Sequence, residues 1–330
     1  MSTARVIAPH APRRFARALR SREALLLALC AGVFAVAGAT LPHFLDPYNL
    51  ADSTFNFSEK GLLALAMAAL ILVREIDLSL AAIMALASLL MGFAAQAGAP
   101  AGLLVLVGIG TGAVCGAFNG ALVTALAVPS IVVTIGSLAL FRGLALLALG
   151  DQALSQYPAA LTDWAQGYAL NLPREFWVFL AASAAYAALL HGSSFGRELF
   201  ALGGNPEAAR MAGVPIARRR FAVFVLAGAT AGLAAVLLTG RIGVTRPNLA
   251  QGWELDAVTL AVLGGIGIAG GSGSIGGVLL ATLTLGLATY ALGMANVPGI
   301  VTTLLIGLLL LAAVGAPGIL KSLRWKRRRG

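Results

Sequence analysis

The sequence predicts an all-α fold, a polytopic transmembrane helical bundle of about ten spans with both termini cytoplasmic. Three observations carry this. First, 59% of the 330 residues are hydrophobic and 11% are charged, against roughly 25% charged in an ordinary soluble domain. Mean hydropathy is +0.90. A soluble fold of this size needs polar groups to cover its surface, and these are lacking. Second, the apolar residues fall into segments near helical spanning length, at approximately 24–41, 61–73, 78–97, 102–127, 130–149, 176–191, 221–239, 256–270, 274–294 and 298–315. Third, the basic residues cluster in three blocks, the N-terminus, the loop 192–220 and the tail 316–330. An even number of crossings puts all three on one side, as the positive-inside rule requires. The formal net charge of +10 is thus explained by topology, and a nucleic-acid role is not expected.

In order along the chain, residues 1–23 form a basic cytoplasmic N-terminus with Arg5, Arg13, Arg14, Arg17, Arg20 and Arg22. Residues 24–315 form the transmembrane domain, and 316–330 a basic tail. The first apolar run has a long arginine-rich preface, which favours a retained signal-anchor helix over a cleaved signal peptide. Segment 61–73 covers only about 20 Å at 1.5 Å per residue. Arg74, Glu75 and Asp77 follow it directly, and charges are costly in lipid. Two readings stand: a broken helix whose polar break faces a pathway, or a tight turn between two spans. Gly108, Gly112, Gly116 and Gly120 recur every four residues and make one groove of missing side chains, a helix-packing face. Gly228 and Gly232 repeat the spacing. Segment 256–270 is short and glycine-rich, so a broken or re-entrant element is expected. The intervening loops 42–60, 151–175 and 240–255 hold most of the acidic residues, among them Glu59 and Glu175. Neither the two cysteines, Cys30 and Cys115, nor the three histidines form a metal-ligand pattern, and no cofactor is expected.

The most specific local signal is the stretch 203–213. Asn205 suits an N-cap, Pro206 the first helical position, and Glu207 and Arg210 complement the two ends of the helix dipole. Gly213 suits a left-handed stop. A two-turn helix of about 10 Å follows, too short to be stable alone in water. It is either a surface connector or a docking helix for a cytoplasmic protein.

Glu207-Ala208-Ala209 followed by Gly213 resembles the EAA loop of bacterial ABC importer permeases. Other stretches resemble the branch serving ribose, rhamnose, xylose and autoinducer-2. These are Ile76-Asp77-Leu78-Ser79, Asn119-Gly120, Pro129, Thr134-Ile135-Gly136, Arg142-Gly143, Phe195-Gly196-Arg197, Ala201-Leu202-Gly203-Gly204-Asn205, Glu254-Leu255-Asp256-Ala257 and Gly273-Ser274-Ile275. They occur in the family's order from about residue 45 to 315. The chain departs from the pattern at Arg74-Glu75, where Gly-Gly is usual, at Leu80-Ala81-Ala82, and at Ser272.

The resemblance implies a permease subunit that does not hydrolyse ATP. It implies a second permease subunit (identical or paralogous), a cytoplasmic ABC ATPase and a periplasmic or extracellular sugar-binding protein. It also implies location in the bacterial inner membrane. The residues agree on the motor: none of the three lysines follows a glycine, as a P-loop requires. On this reading Asn205, Pro206, Glu207, Ala208, Ala209, Arg210 and Gly213 form the ATPase-coupling helix. Polar residues in or near the spans, Asp77, Ser79, Asn119, Ser130, Thr134, Ser137 and Arg142, are candidates for the translocation path or gate. Each has a structural alternative as an internal helix–helix hydrogen bond. Trp253, Glu254 and Asp256 are candidates for docking the binding protein, or for an interfacial aromatic beside a solvated helix start. Competing functions are a branched-chain amino-acid or nucleoside ABC permease and, from another class, an ion-coupled secondary transporter, which wants acidic groups deep in the spans.

Overall fold

The computed structural model describes residues 12–308 and 311, with side chains from residue 23 onward. The arginine side chains of the N-terminal block, the end of the last apolar segment and the tail 316–330 lie outside the described residues. The fold is helical apart from a two-residue antiparallel pair, β1 (Tyr168–Ala169) and β2 (Leu172–Pro173). The helices are α1 (Pro12–Thr40), α2 (Pro47–Ser53), α3 (Ser58–Leu72), α4 (Leu80–Gln96), α5 (Ala101–Ala125), α6 (Ser130–Leu149), α7 (Ala159–Ala165) and α8 (Arg174–Ala187). They continue with α9 (Ser194–Gly204), α10 (Pro206–Met211), α11 (Ile216–Ile242), α12 (Trp253–Leu263), α13 (Ile275–Met294) and α14 (Gly299–Leu308). Among the described residues, six helices are long and apolar enough to cross a membrane, or seven if the pair 47–56 and 58–72, bent by 44°, counts as one span.

Every expected apolar segment contains a helix, with two changes of extent. Segment 256–270 is helical only to Leu263. Gly265, Gly270, Gly271 and Gly273 then adopt positive φ, an irregular loop that only a near-absence of Cβ atoms permits. Loop 192–220, read from sequence as one short helix in a connector, is mostly helical. Leu199 and Leu202 of α9 are fully buried, and α11 begins at Ile216. The apolar spacing of Phe195, Leu199 and Leu202 is a helical stripe that the surrounding charges obscured.

Contacts between helices show how the chain reverses. Gly116 of α5 meets Gly228 of α11, and Gly108 meets Val236, so α5 and α11 are antiparallel. A Cβ at Gly228 would fall 2.8 Å from the Gly116 Cα, and one at Gly112 would fall 2.8 Å from the Gly232 Cα. The two glycine rows therefore interlock, backbone against backbone, which gives dispersion contact where no solvent drives helices together. Helix α3 is buried along nearly its whole length, enclosed by α8, α11, α12 and α13. Lys60–Asp256 and Leu72–Gly271 contacts run α3 parallel to α12.

Three carboxylates assigned to loops or breaks are fully buried: Glu59, Asp77 and Glu175. This corrects the view that acids stay in the loops. Glu59 and Glu175 share Arg241 at the far end of α11. The guanidinium donates to Glu59 Oε1 from Nε (2.9 Å) and Nη2 (2.8 Å), and its Nε stands 3.3 Å from Glu175 Oε2. Arg241 also lies over the Phe55 ring at 5.6 Å.

Candidate functional site

The turn 73–79 joins α3 to α4, and both helices pack on α11. Helix α3 ends in a Schellman motif. The Glu75 N–H donates to Leu70 O (3.0 Å) and the Arg74 N–H to Ile71 O (2.9 Å). Arg74 takes the left-handed position at φ 66°, a conformation that costs an L-residue about 1–2 kcal/mol. This is one of the two positions where Gly-Gly is usual. The Arg74 side chain returns interactions: Nε donates to Gly203 O (2.6 Å) and Nη2 to Gly204 O (2.8 Å).

Beyond Arg74-Glu75 the chain turns inward, and six of the seven path candidates meet there. Asp77 Oδ1 accepts from the Ser79 N–H (2.8 Å) and hydroxyl (2.6 Å). Asn119 Nδ2 donates to Asp77 Oδ2 (3.1 Å) and Ser79 Oγ (2.8 Å). The Ser137 hydroxyl donates to Asn119 Oδ1 at 2.5 Å. The Ile76 N–H donates to Ser130 Oγ (3.2 Å), and Thr134 Oγ1 stands 3.4 Å from Ile76 O. All six side chains are buried. The node ties the α3–α4 turn to α5 and α6. It is a set of mutual hydrogen bonds within one chain, as buried polar groups require.

The seventh candidate, Arg142, lies elsewhere. Its Nη1 donates to Pro247 O (2.6 Å) and Leu249 O (2.8 Å), clamping the loop between α11 and α12. That loop is also held by Thr245, which forms a bridge with Leu154 and bonds to Tyr157 and Ser88. Burial raises the Tyr157 hydroxyl above the ordinary tyrosine range, so it stays protonated. Trp253 and Asp256 are not free at the surface. Lys60 Nζ bonds Asp256 Oδ2 (2.6 Å) and lies 5.1 Å from the Trp253 ring centre, while Glu254 is half-buried beside them.

At the end of the bundle that carries the α3–α4 turn, α10 stands between α9 and α11. Asn205 caps it, accepting from the Glu207 and Ala208 N–H groups at 3.1 Å each. Gly213, at φ 84°, closes it in a Schellman motif with the bonds Val214 N–H to Ala209 O and Gly213 N–H to Arg210 O. Ala209 is buried, Glu207, Ala208 and Arg210 are exposed, and Met211 is 86% exposed. An open cavity of about 630 Å³ lies beside α10, lined by Glu75, Pro129, Arg210, Val214, Arg218 and Arg220 among others. Sequence reasoning did not find the roles of Arg74, Glu59, Glu175 and Arg241. The one available signal was the presence of charged residues flanking apolar runs.

Residues 49–314 match the family described as "Branched-chain amino acid transport system / permease component". The chain is 35% identical over 298 residues, 88% of its length and 90% of the relative's, to the "Autoinducer 2 import system permease protein LsrD" of Escherichia coli O9:H4 (strain HS), and equally to that of Shigella flexneri. To the same-named protein of Escherichia coli O157:H7 it is 35% identical over 283 residues, 84% of this chain and 86% of the relative. No solved structure matches. A match across four-fifths of a helical, lipid-soluble chain, on residues that include the node and the capped helix, makes this multi-pass membrane protein a member of the ABC importer permease family.

Proposed function

We propose that the chain is the permease subunit of a binding-protein-dependent ABC importer in the bacterial inner membrane, carrying a ribose- or rhamnose-type monosaccharide or autoinducer-2. The observation that carries this is α10: a helix of one and a half turns, capped at both ends, with Glu207 and Arg210 turned outward. A helix this short is held in shape by its caps and by α9 and α11, and it presents a rigid knob to another protein. That partner is a cytoplasmic ABC ATPase, and hydrolysis takes place there. A second permease subunit, identical or paralogous, completes the path, and a periplasmic or extracellular sugar-binding protein delivers the substrate.

The topology is ten crossings between residues 24 and 315, with the N-terminal residues 1–23, the loop 192–220 and the tail 316–330 on the cytoplasmic side. The regular reversal of successive long helices supports it. Asn119 lies near the α10 end of α5, and Leu154 and Thr245 pair at the opposite end. ATP binding closes the ATPase pair, α10 moves as a lever, and the bundle rocks between two states. Asp77, Ser79, Asn119, Ser130, Thr134 and Ser137 act as a latch that keeps the α3–α4 turn fixed to α5 and α6 during that motion. Arg142 holds the opposite loop. Trp253, Glu254 and Asp256, stiffened by Lys60, form part of the surface that the binding protein meets. The names of the relatives favour a sugar-class substrate, and the family's description favours a branched-chain amino acid as the rival.

The test is uptake into proteoliposomes holding the complete importer, supplied with labelled ribose, rhamnose, autoinducer-2, leucine or adenosine. Saturable, ATP-dependent uptake of a sugar or autoinducer-2 is expected. Preferential uptake of leucine or adenosine would replace the sugar assignment.

A further inference from the structure

Two adjacent residues of opposite charge hold both flanks of the coupling helix. On one side, Arg74 donates to the carbonyls of Gly203 and Gly204 at 2.6 and 2.8 Å, the last residues of α9 before Asn205. On the other side, Glu75 Oε1 lies 3.0 Å from Arg220 Nε, just past the start of α11. Helix α10 lies between these two attachment points. Its inner face is seated in the core through Ala209, and an open cavity of about 630 Å³ runs along Arg210 and Val214. The two flank attachments tie α10 to the α3–α4 turn in addition to its own core contact at Ala209.

The flanks also make close backbone contact. The Gly271 N–H donates to Leu72 O at 2.9 Å. A Cβ on Gly203 would fall 2.9 Å from the Gly271 Cα, and a Cβ on Gly270 would fall 2.5 Å from Arg74 Cγ. The ends of α3 and α9 and the loop before α13 thus meet at one three-way junction, with Arg74 across it. Immediately after Glu75 come Ile76 and Asp77, whose groups enter the buried node on α5 and α6. The covalent path from Glu75 to Asp77 in that node is two residues long.

We propose that Arg74 and Glu75 are positioning residues that form a two-point bracket, passing displacement of the coupling helix into the α3–α4 turn and so into α5 and α6. The proposal rests on the permease reading above. It explains why an arginine occupies a left-handed position that glycine fills without strain: the side chain is needed for its two bonds. Charge-assisted bonds to fixed carbonyls are strong and directional, and the planar guanidinium presents both donors in a fixed fork that a flexible lysine ammonium lacks.

Arg74→Gly tests the bracket with little risk to the fold, since glycine tolerates φ 66°. In the complete importer, R74G is expected to lower substrate imported per ATP hydrolysed roughly tenfold, a typical size for coupling between sites, with hydrolysis continuing. R74K is expected to recover only part of the loss. Wild-type stoichiometry in R74G overturns the proposal. If R74G does not assemble, the ion pair decides. E75R and R220E should each uncouple, and the double exchange E75R/R220E should regain most of the coupling; no regain overturns the bracket. A wild-type complex that imports nothing is a failure of the permease reading itself, and the bracket falls with it. Import by wild type and R74G alike removes the bracket and leaves the permease reading standing.

Discussion

Arg241 faces two carboxyl groups and the Phe55 ring at once. Two fully buried carboxyl groups face one guanidinium, and the three ionisable groups come from α3, α8 and α11. Removing the cation leaves Glu59 and Glu175 against each other in a place without solvent. Breaking a buried pair from one side typically costs about 3–5 kcal/mol, so Arg241→Leu is expected to lower the thermal midpoint of the detergent-solubilised protein sharply. Glu175→Gln is expected to cost much less, because Glu59 keeps both of its bonds to Arg241. Equal losses for the two variants would show that the geometry of the trio is misread. None of this was visible in the sequence. Glu59 and Glu175 sit at the edges of hydrophilic stretches and read as solvated loop residues, and a partner 182 residues away leaves no local trace. Asp77 was legible as important, since a carboxylate between two apolar runs needs partners. That those partners include Ser79 and Asn119 follows only from the fold.

At the scale of the helix, the glycine rows show what periodicity can and cannot reveal. The spacing of four on α5 marks a face without side chains, and the matching pair on α11 marks its counterpart. Both read as packing surfaces from spacing alone, but not as each other's partner. Gly110, on the same helix, has open space where a Cβ would stand, with nothing within 4 Å, whereas a Cβ on Gly112 would meet the Gly232 backbone at 2.8 Å. Overpacking a tight contact costs about 1–3 kcal/mol. Gly112→Ala is therefore expected to destabilise the protein by an amount in that range in thermal unfolding, and Gly110→Ala to leave it unchanged or slightly more stable, alanine being the better helix former. A loss at Gly110 as large as at Gly112 would mean that close approach to α11 is not what the glycine rows supply. The capped helix α10 was legible in detail, residue by residue, because caps are local chemistry. Helix α9 was not: its stripe of Phe195, Leu199 and Leu202 is interrupted by Arg197 and Glu198, and Arg219 covers it by pairing with Glu198 and lying over Phe195. The end of α12 at Leu263 was signalled by its glycines, though not the junction those glycines make with Arg74.

For the molecule as a whole, hydropathy was enough to give the class, a helical membrane protein, because the bilayer constrains the backbone more strongly than any soluble fold does. Architecture beyond that depends on which helices share α11 and α3, a matter of long-range contact. Across these scales we propose one claim: a lipid-buried bundle driven by a separate ATPase is moved through α10, whose flanks are tied by Arg74 and Glu75 to a buried polar node. The most direct measurement is solute accumulation in sealed proteoliposomes that contain this chain and its partner permease, with and without the ATPase, binding protein and ATP. Uphill accumulation is expected only with the full set, and Gly213→Pro, which cannot adopt φ 84°, is expected to abolish it while the membrane part stays folded. Accumulation without an ATPase, or full uptake by Gly213→Pro, would contradict the claim.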